Sequence, residues 1–180
     1  MKLSGAGLER WVASPTRESR AVLFYGPNEG LVRDRARTVV GSLSGGNVDD
    51  PFSVSVCDQP ARNGNPAMLL DEAFSFSMMG GDKVVWVRDA GDSLVEELSR
   101  VLQAEKPGNF VVVEGGDLAP RSKLRQLFEK DGSALAAGCY LDDDRALETL
   151  VRGKFQSAGV RVNKSALDVL VSRLGQDRLA

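Results

Sequence analysis

Short apolar runs alternate along this chain with longer segments in which apolar residues recur at helical spacing. Most runs are rich in Val, Phe and Ala without polar interruption, which is typical of strands buried on both faces. The run Phe52–Cys57 instead alternates apolar and polar residues, which favours a place nearer an edge of the sheet. The pattern predicts an α/β fold with a parallel sheet covered by helices on both faces. The predicted strands are Ala21–Tyr25, Phe52–Cys57, Lys83–Val87, Asn109–Val113 and Ala136–Tyr140.

The longer segments between these runs predict the helices. The helix that begins near Met68 is expected to follow a loop, with Asn65 as its N-cap and Pro66 as its first helical residue. It is expected to run on through Phe74 and to stop at Gly80. The predicted helices are Leu8–Ala13, Leu31–Leu43, Met68–Phe74, Ser93–Ala104 and Ser122–Lys130.

The pattern changes after Tyr140, where two amphipathic segments separated by Gly159 predict two helices. Two short helices cannot bury both of their apolar stripes against each other alone, so they need more chain or a partner. We therefore expect a first domain over residues 1–140 and a small helical domain over residues 141–180 that is cut short.

A glycine turn connects the first predicted strand to the helix that follows it. Strand, glycine turn and helix form the entry to a phosphate-binding α/β domain, so the turn is a candidate nucleotide site. A working P-loop has four residues between its glycines and then Lys and Ser or Thr. Here three residues separate Gly26 from Gly30, and Leu31 and Val32 take the places of Lys and Ser or Thr.

Two further features argue against nucleotide chemistry at this turn. Glu29 lies inside the turn and would repel a triphosphate, and the strand end at Arg88 and Asp89 offers one acid where an ATPase offers two adjacent ones. We interpret Gly26, Pro27 and Gly30 as a structural turn without a ligand. The alternative is an active P-loop ATPase with a divergent loop.

Composition excludes several classes of function. The chain, whose net charge is -2, contains no histidine. The lack of histidine excludes His-based catalysis and any Ser-His-Asp arrangement. Cys57 and Cys139 lie in separate apolar runs, so we expect two buried free thiols rather than a zinc site. No stretch is apolar enough to span a bilayer, and the first residues do not form a signal peptide. We expect a cytoplasmic protein without a metal or cofactor.

Two surfaces remain as candidate binding sites. Phe76, Met78 and Met79 follow a helix whose core face is already supplied by other apolar residues. Adjacent apolar residues cannot all point inward, so at least one of these methionines should lie at the surface, as in adaptable binding surfaces. The alternative is that they plug the base of the sheet.

The second surface is the basic helix after Pro120. Arg121, Lys123 and Arg125 could contact a phosphate backbone, which would make the chain a DNA-binding scaffold. A solvated helix face is the interpretation we prefer for these three residues.

In the order and spacing of several segments, the chain resembles the delta subunits of the bacterial DNA polymerase III clamp loader. That resemblance implies an AAA+ or RecA-like α/β domain followed by a helical lid domain. It also implies a non-catalytic part of the polymerase holoenzyme that does not hydrolyse ATP. The segments that carry it are Leu23–Val32, Val84–Ala90, Phe110–Leu118, Arg121–Arg125, Ala158–Val160 and Leu174–Arg178.

The resemblance also implies a partner and a binding site. Delta subunits of this family bind the ring-shaped sliding clamp, the beta subunit, and help to open one of its interfaces. Two apolar residues at the end of the helix before the third strand enter a pocket on the clamp. This element falls on Phe76, Ser77, Met78 and Met79, and the Met-Met pair stands where Leu-Phe is common. Flexible thioethers can fill the same apolar pocket.

The resemblance further implies a third, collar domain that joins the subunits into a five-membered ring. Through it, a delta subunit would meet the gamma or tau and delta prime subunits, and would reach DNA through the assembled complex. We expect this chain to be the clamp-facing part, without the collar.

Overall fold

The computed structural model describes residues 1–76, 83–105, 108–140 and 144–176. The chain divides into two compact units, Met1–Cys139 and Tyr140–Ala180. In the described part of the chain, no helix is long and apolar enough to cross a membrane.

The first unit is built on a six-stranded sheet whose described strand pairs are all parallel. The order across the sheet is β1-β6-β2-β5-β4-β3, so the predicted parallel sheet is confirmed and β3 lies at an edge, as its alternating pattern predicted. The strands are β1 (Lys2–Leu3), β2 (Ala21–Tyr25), β3 (Val54–Cys57), β4 (Val84–Ala90), β5 (Phe110–Gly115) and β6 (Ala134–Gly138).

Helices cover both faces of this sheet, as predicted. The helices of this unit are α1 (Gly5–Ala13), α2 (Glu29–Leu43), α3 (Gln59–Gly64), α4 (Met68–Phe74), α5 (Val95–Gln103) and α6 (Lys123–Lys130). Ala21, Leu23 and Tyr25 of β2 pack with α4, α5 and α6, whereas Val22 and Phe24 pack with α1 and α2 on the opposite face. Neighbouring strand residues point to opposite faces, so the apolar run of β2 serves both cores.

Two short elements were not predicted. Strand β1 has only two residues, too few for a recognisable pattern. It pairs with β6, with Lys2 opposite Ala136 and Leu3 opposite Ala137. Helix α3 is a polar helix without a buried residue, and it begins where Asp58 Oδ1 accepts a 2.9 Å hydrogen bond from the Ala61 amide.

Strand β6 and helix α4 have different bounds from those predicted. Strand β6 ends at Gly138 rather than Tyr140, because its pairing with β2 ends there. Helix α4 ends at Phe74 and does not run on to Gly80, since Ser75 is extended with φ -68° and ψ 148°. Asn65 is not its N-cap: the Asn65 side chain accepts a 3.1 Å hydrogen bond from the Ala67 amide in the preceding turn.

The second unit contains α7 (Asp144–Ser157) and α8 (Lys164–Gln176). Val151 and Leu167 are buried between them, and Phe155, Val162 and Leu170 pack around this pair. Gly159, with φ 70°, forms the turn that follows α7.

Candidate functional site

Gly26 is required by the packing of two strand ends. It has φ 146°, and a Cβ atom at this position would overlap the carbonyl oxygen of Cys139 just after β6. Its amide donates a 3.0 Å hydrogen bond to the carbonyl of Gly116, and the Cys139 amide donates to the Tyr25 carbonyl at 2.6 Å. The glycine thus lets the chain turn between its neighbours, independently of any ligand.

The start of α2 is satisfied by the chain's own groups. Asn28 is the N-cap, and its Oδ1 accepts a 3.0 Å hydrogen bond from the Leu31 amide. Glu29 places an acidic residue in the first turn, where it complements the helix dipole. Val32 is buried and Leu31 packs beside the same core cluster. A helix start of this kind holds neither the cation nor the hydroxyl that a triphosphate with Mg²⁺ requires.

The end of β4 carries Arg88 and a single acid, Asp89, in place of two adjacent acids. The Arg88 guanidinium carbon lies 4.0 Å from the centroid of the Trp86 ring. Arg62 of α3 donates hydrogen bonds to the carbonyls of Cys57, Arg88 and Asp89, which ties the ends of β3 and β4 together. Asp89 is exposed in a left-handed conformation with φ 53°.

Glu114 is a buried acid that the sequence pattern placed after the strand. It lies within β5, is 6% exposed, and accepts a 2.7 Å hydrogen bond from Trp86 Nε1. Burial raises the pKa of Glu114, although the Trp86 hydrogen bond and Arg88 oppose this. A lone acid inside an otherwise apolar run was the signal that could have indicated a buried polar partner.

The candidate docking residues follow α4. Phe76 is 96% exposed and Phe74 is 42% exposed, so two aromatic side chains lie at the surface beside the end of this helix. Ser77, Met78 and Met79 lie outside the described residues. Asn109, which the sequence pattern assigned only to the start of a strand, hydrogen-bonds the backbone on this side of the sheet.

The three basic candidates of α6 and the turn before it do not share one environment. Arg121 and Lys123 are exposed. Arg125 is only 12% exposed in its side chain, and it pairs with Glu129 at 3.0 Å while donating to the Leu118 carbonyl at 3.1 Å. The side-chain positions therefore do not favour a single surface formed by all three cations.

The remaining expectations concern thiols and metals. Cys57 and Cys139 are both free and buried, as predicted. Burial raises the pKa of Cys57 to about 11. In the part of the chain that the structure describes, no three Cys, Asp or Glu side chains form a group that could hold a metal ion.

The fold is a parallel α/β sheet covered by helices on both faces, with a strand–turn–helix entry near its centre. No protein-family model matches the chain. Domain III of the replication initiation protein DnaA from Thermotoga maritima is similar in fold, with a TM-score of 0.53 and 12% identity over 91% of this chain and 72% of that one.

Two further proteins are similar over most of the chain. The DNA clamp loader delta protein of Bacillus subtilis matches 91% of it with a TM-score of 0.64 and 16% identity. A probable DNA polymerase III subunit delta of Rickettsia prowazekii is 25% identical over 158 residues, or 88% of the chain. The resemblance to delta subunits that the sequence motifs indicated is thereby confirmed. The chain spans 46% of the Rickettsia protein and 50% of the Bacillus one, about half of each.

Proposed function

We propose that this chain is the clamp-facing part of a clamp-loader delta subunit, which binds the sliding clamp and helps to open it during DNA replication. The observation that carries the proposal is the exposed Phe76, which begins the segment where the family resemblance locates the clamp-binding element. Met78 and Met79 act as the apolar anchors in a pocket of the clamp, and Phe76 and Ser77 support them.

The physical basis of this docking is apolar burial. Moving one large apolar side chain from water into a fitted pocket contributes roughly 1.5–3 kcal/mol. Phe76 is 96% exposed, so nearly all of its surface is available for burial against a partner. A small group of buried aromatic and methionine anchors is the usual source of affinity in such an interface.

The second part of the proposal is mechanical. A bound protein can shift its partner between two states only by its difference in affinity for them. Opening of the clamp therefore requires that the delta subunit bind the distorted clamp interface more tightly than the closed one. No nucleotide step is assigned to this chain, because Leu31, Val32 and the Asn28 cap occupy the positions where P-loop chemistry would act.

The partners follow from the same proposal. Residues 141–180 act as a helical lid, and the gamma or tau and delta prime subunits are further partners in the loader. DNA is reached through the assembled complex rather than through Arg121, Lys123 and Arg125.

A pull-down on the sliding clamp from the same organism tests the proposal. The Met78→Ala, Met79→Ala double variant should lose clamp binding while its thermal unfolding stays close to that of the wild type. Phe52→Ala is the matched control, because Phe52 is another exposed aromatic residue, at 64%. Native affinity in the double variant would overturn the site assignment.

A further inference from the structure

Asn109 connects the backbone on the two sides of residues 76–82. It lies just before β5 and is 7% exposed. Its Nδ2 donates hydrogen bonds to the carbonyls of Glu72 at 2.8 Å and Ser75 at 2.9 Å, at the end of α4. Its Oδ1 accepts a 3.0 Å hydrogen bond from the amide of Lys83, just before β4. One buried amide thus bonds three backbone groups at the end of α4 and just before β4, where the regular hydrogen bonding of helix and strand stops.

The backbone beside Asn109 is also fitted to the end of α4. The Asn109 amide donates a 2.8 Å hydrogen bond to the carbonyl of Ala73. A Cβ atom at Gly108 would overlap that same carbonyl oxygen and would approach the Phe74 ring to 3.2 Å. Glycine at this position therefore permits the close approach that brings the Asn109 side chain to the helix end.

A second tie joins the same two elements through side chains. Glu72 Oε2 lies 3.0 Å from Lys83 Nζ and accepts a 2.6 Å hydrogen bond from Ser55 Oγ. Partial burial works to raise the pKa of Glu72, but the hydrogen bonds from Ser55 and Lys83 hold it below its ordinary value. Glu72 is therefore a carboxylate at neutral pH, and it reinforces the connection that Asn109 makes.

We propose that Asn109 is a positioning residue for Phe76, the described residue of the proposed docking site. Ser75, which Asn109 holds, is bonded directly to Phe76, so the amide fixes the backbone from which this exposed ring projects. Holding that backbone before binding reduces the ordering cost of association and keeps the binding-competent state populated. The inference rests on the proposed clamp binding and adds the residue that prepares the surface for it.

The experiment compares Asn109→Ala with Glu114→Ala in kinetic titrations against the purified sliding clamp of the same organism. Glu114 is the matched control because it lies at the other end of β5, is 6% exposed compared with 7% for Asn109, and also satisfies a buried donor. Urea unfolding of both variants measures how much stability each has lost.

The expected result is a fall of about tenfold in the association rate constant for Asn109→Ala, with the dissociation rate constant unchanged. Glu114→Ala should lose stability yet keep both rate constants of the wild type. If Asn109→Ala does not fold, Asn109→Ser, whose hydroxyl can keep one of the three bonds, should show a smaller loss in the same direction.

Two negative results have different meanings. If the wild type binds the clamp and Asn109→Ala, or Asn109→Ser in its place, associates as fast as the wild type, the positioning role is wrong and clamp binding stands. If the folded wild type does not bind the clamp, or the Met78→Ala, Met79→Ala variant binds it normally, the proposed docking fails and the inference fails with it.

Discussion

The hydroxyl of Tyr25, at the end of β2, donates a 2.9 Å hydrogen bond to Oε1 of Glu129 in α6. Arg125 Nε lies 3.0 Å from the same oxygen, and the guanidinium carbon lies 4.8 Å from the centroid of the Tyr25 ring. These three side chains join α6 to the central strand. Arg125 therefore has a structural role that its place in a basic helix did not reveal.

The first prediction concerns the stability of this joint. Arg125→Ala removes the contact with Glu129 and the stacking on Tyr25, so it should lower the free energy of unfolding by about 1–3 kcal/mol. The double variant Arg121→Ala, Lys123→Ala changes exposed side chains and should stay within about 0.5 kcal/mol of the wild type. Urea unfolding measures both, and an Arg125→Ala variant as stable as the double variant would contradict the structural role.

The second prediction separates the two glycines of the turn after β2. Gly26→Ala combines a positive φ with overlap on the Cys139 carbonyl, so we expect a loss of about 2–4 kcal/mol in unfolding free energy. Gly30 lies in α2, where a Cβ atom would meet Asn28 Oδ1 at 3.4 Å. Gly30→Ala should therefore change stability by no more than about 1 kcal/mol, and in the stabilising direction.

Thermal or urea unfolding of the two glycine variants distinguishes this structural turn from a ligand loop. Equal and large losses for both would mean that Gly30 has a conformational role that its helical position does not explain. Gain of stability on adding ATP and Mg²⁺ to the wild type would contradict our interpretation of this turn as a structural one without a ligand.

The third prediction concerns pH. The pKa of Glu72 is lowered from 4.5 in the folded state. A carboxyl group with a lowered folded pKa stabilises the protein above its unfolded pKa, and this contribution is lost as pH falls through the folded value. The difference in unfolding free energy between the wild type and Glu72→Gln should therefore be constant at neutral pH and shrink as pH falls below 4.5. A difference that grows in acid would show that the Lys83 and Ser55 contacts do not stabilise the carboxylate.

The central features of the fold could be predicted from local sequence. The strands β2, β4 and β5 each begin with an uninterrupted apolar run that is buried on both faces, so their parallel arrangement follows from the pattern. The turn could be judged in the same way, because Leu31 and Val32 stand where a cation and a hydroxyl are needed.

The polar contacts could not be predicted, because their partners are distant in sequence. Asn109 reads as an ordinary residue at a strand boundary until Glu72 and Lys83, 37 and 26 positions away, are brought beside it. The bond between Tyr25 and Glu129 spans 104 positions. The end of α4 at Phe74 depends on the same kind of contact, since Asn109 accommodates the extended Ser75 that ends the helix.

The most direct test of the account is a calorimetric titration of the wild-type chain, and of Phe76→Ala, with the sliding clamp at two temperatures and two salt concentrations. Apolar docking predicts saturable binding with a negative heat-capacity change and little dependence on salt, weakened by about tenfold or more in Phe76→Ala. No binding by the folded wild-type chain, or equal affinity for Phe76→Ala and the wild type, would contradict it.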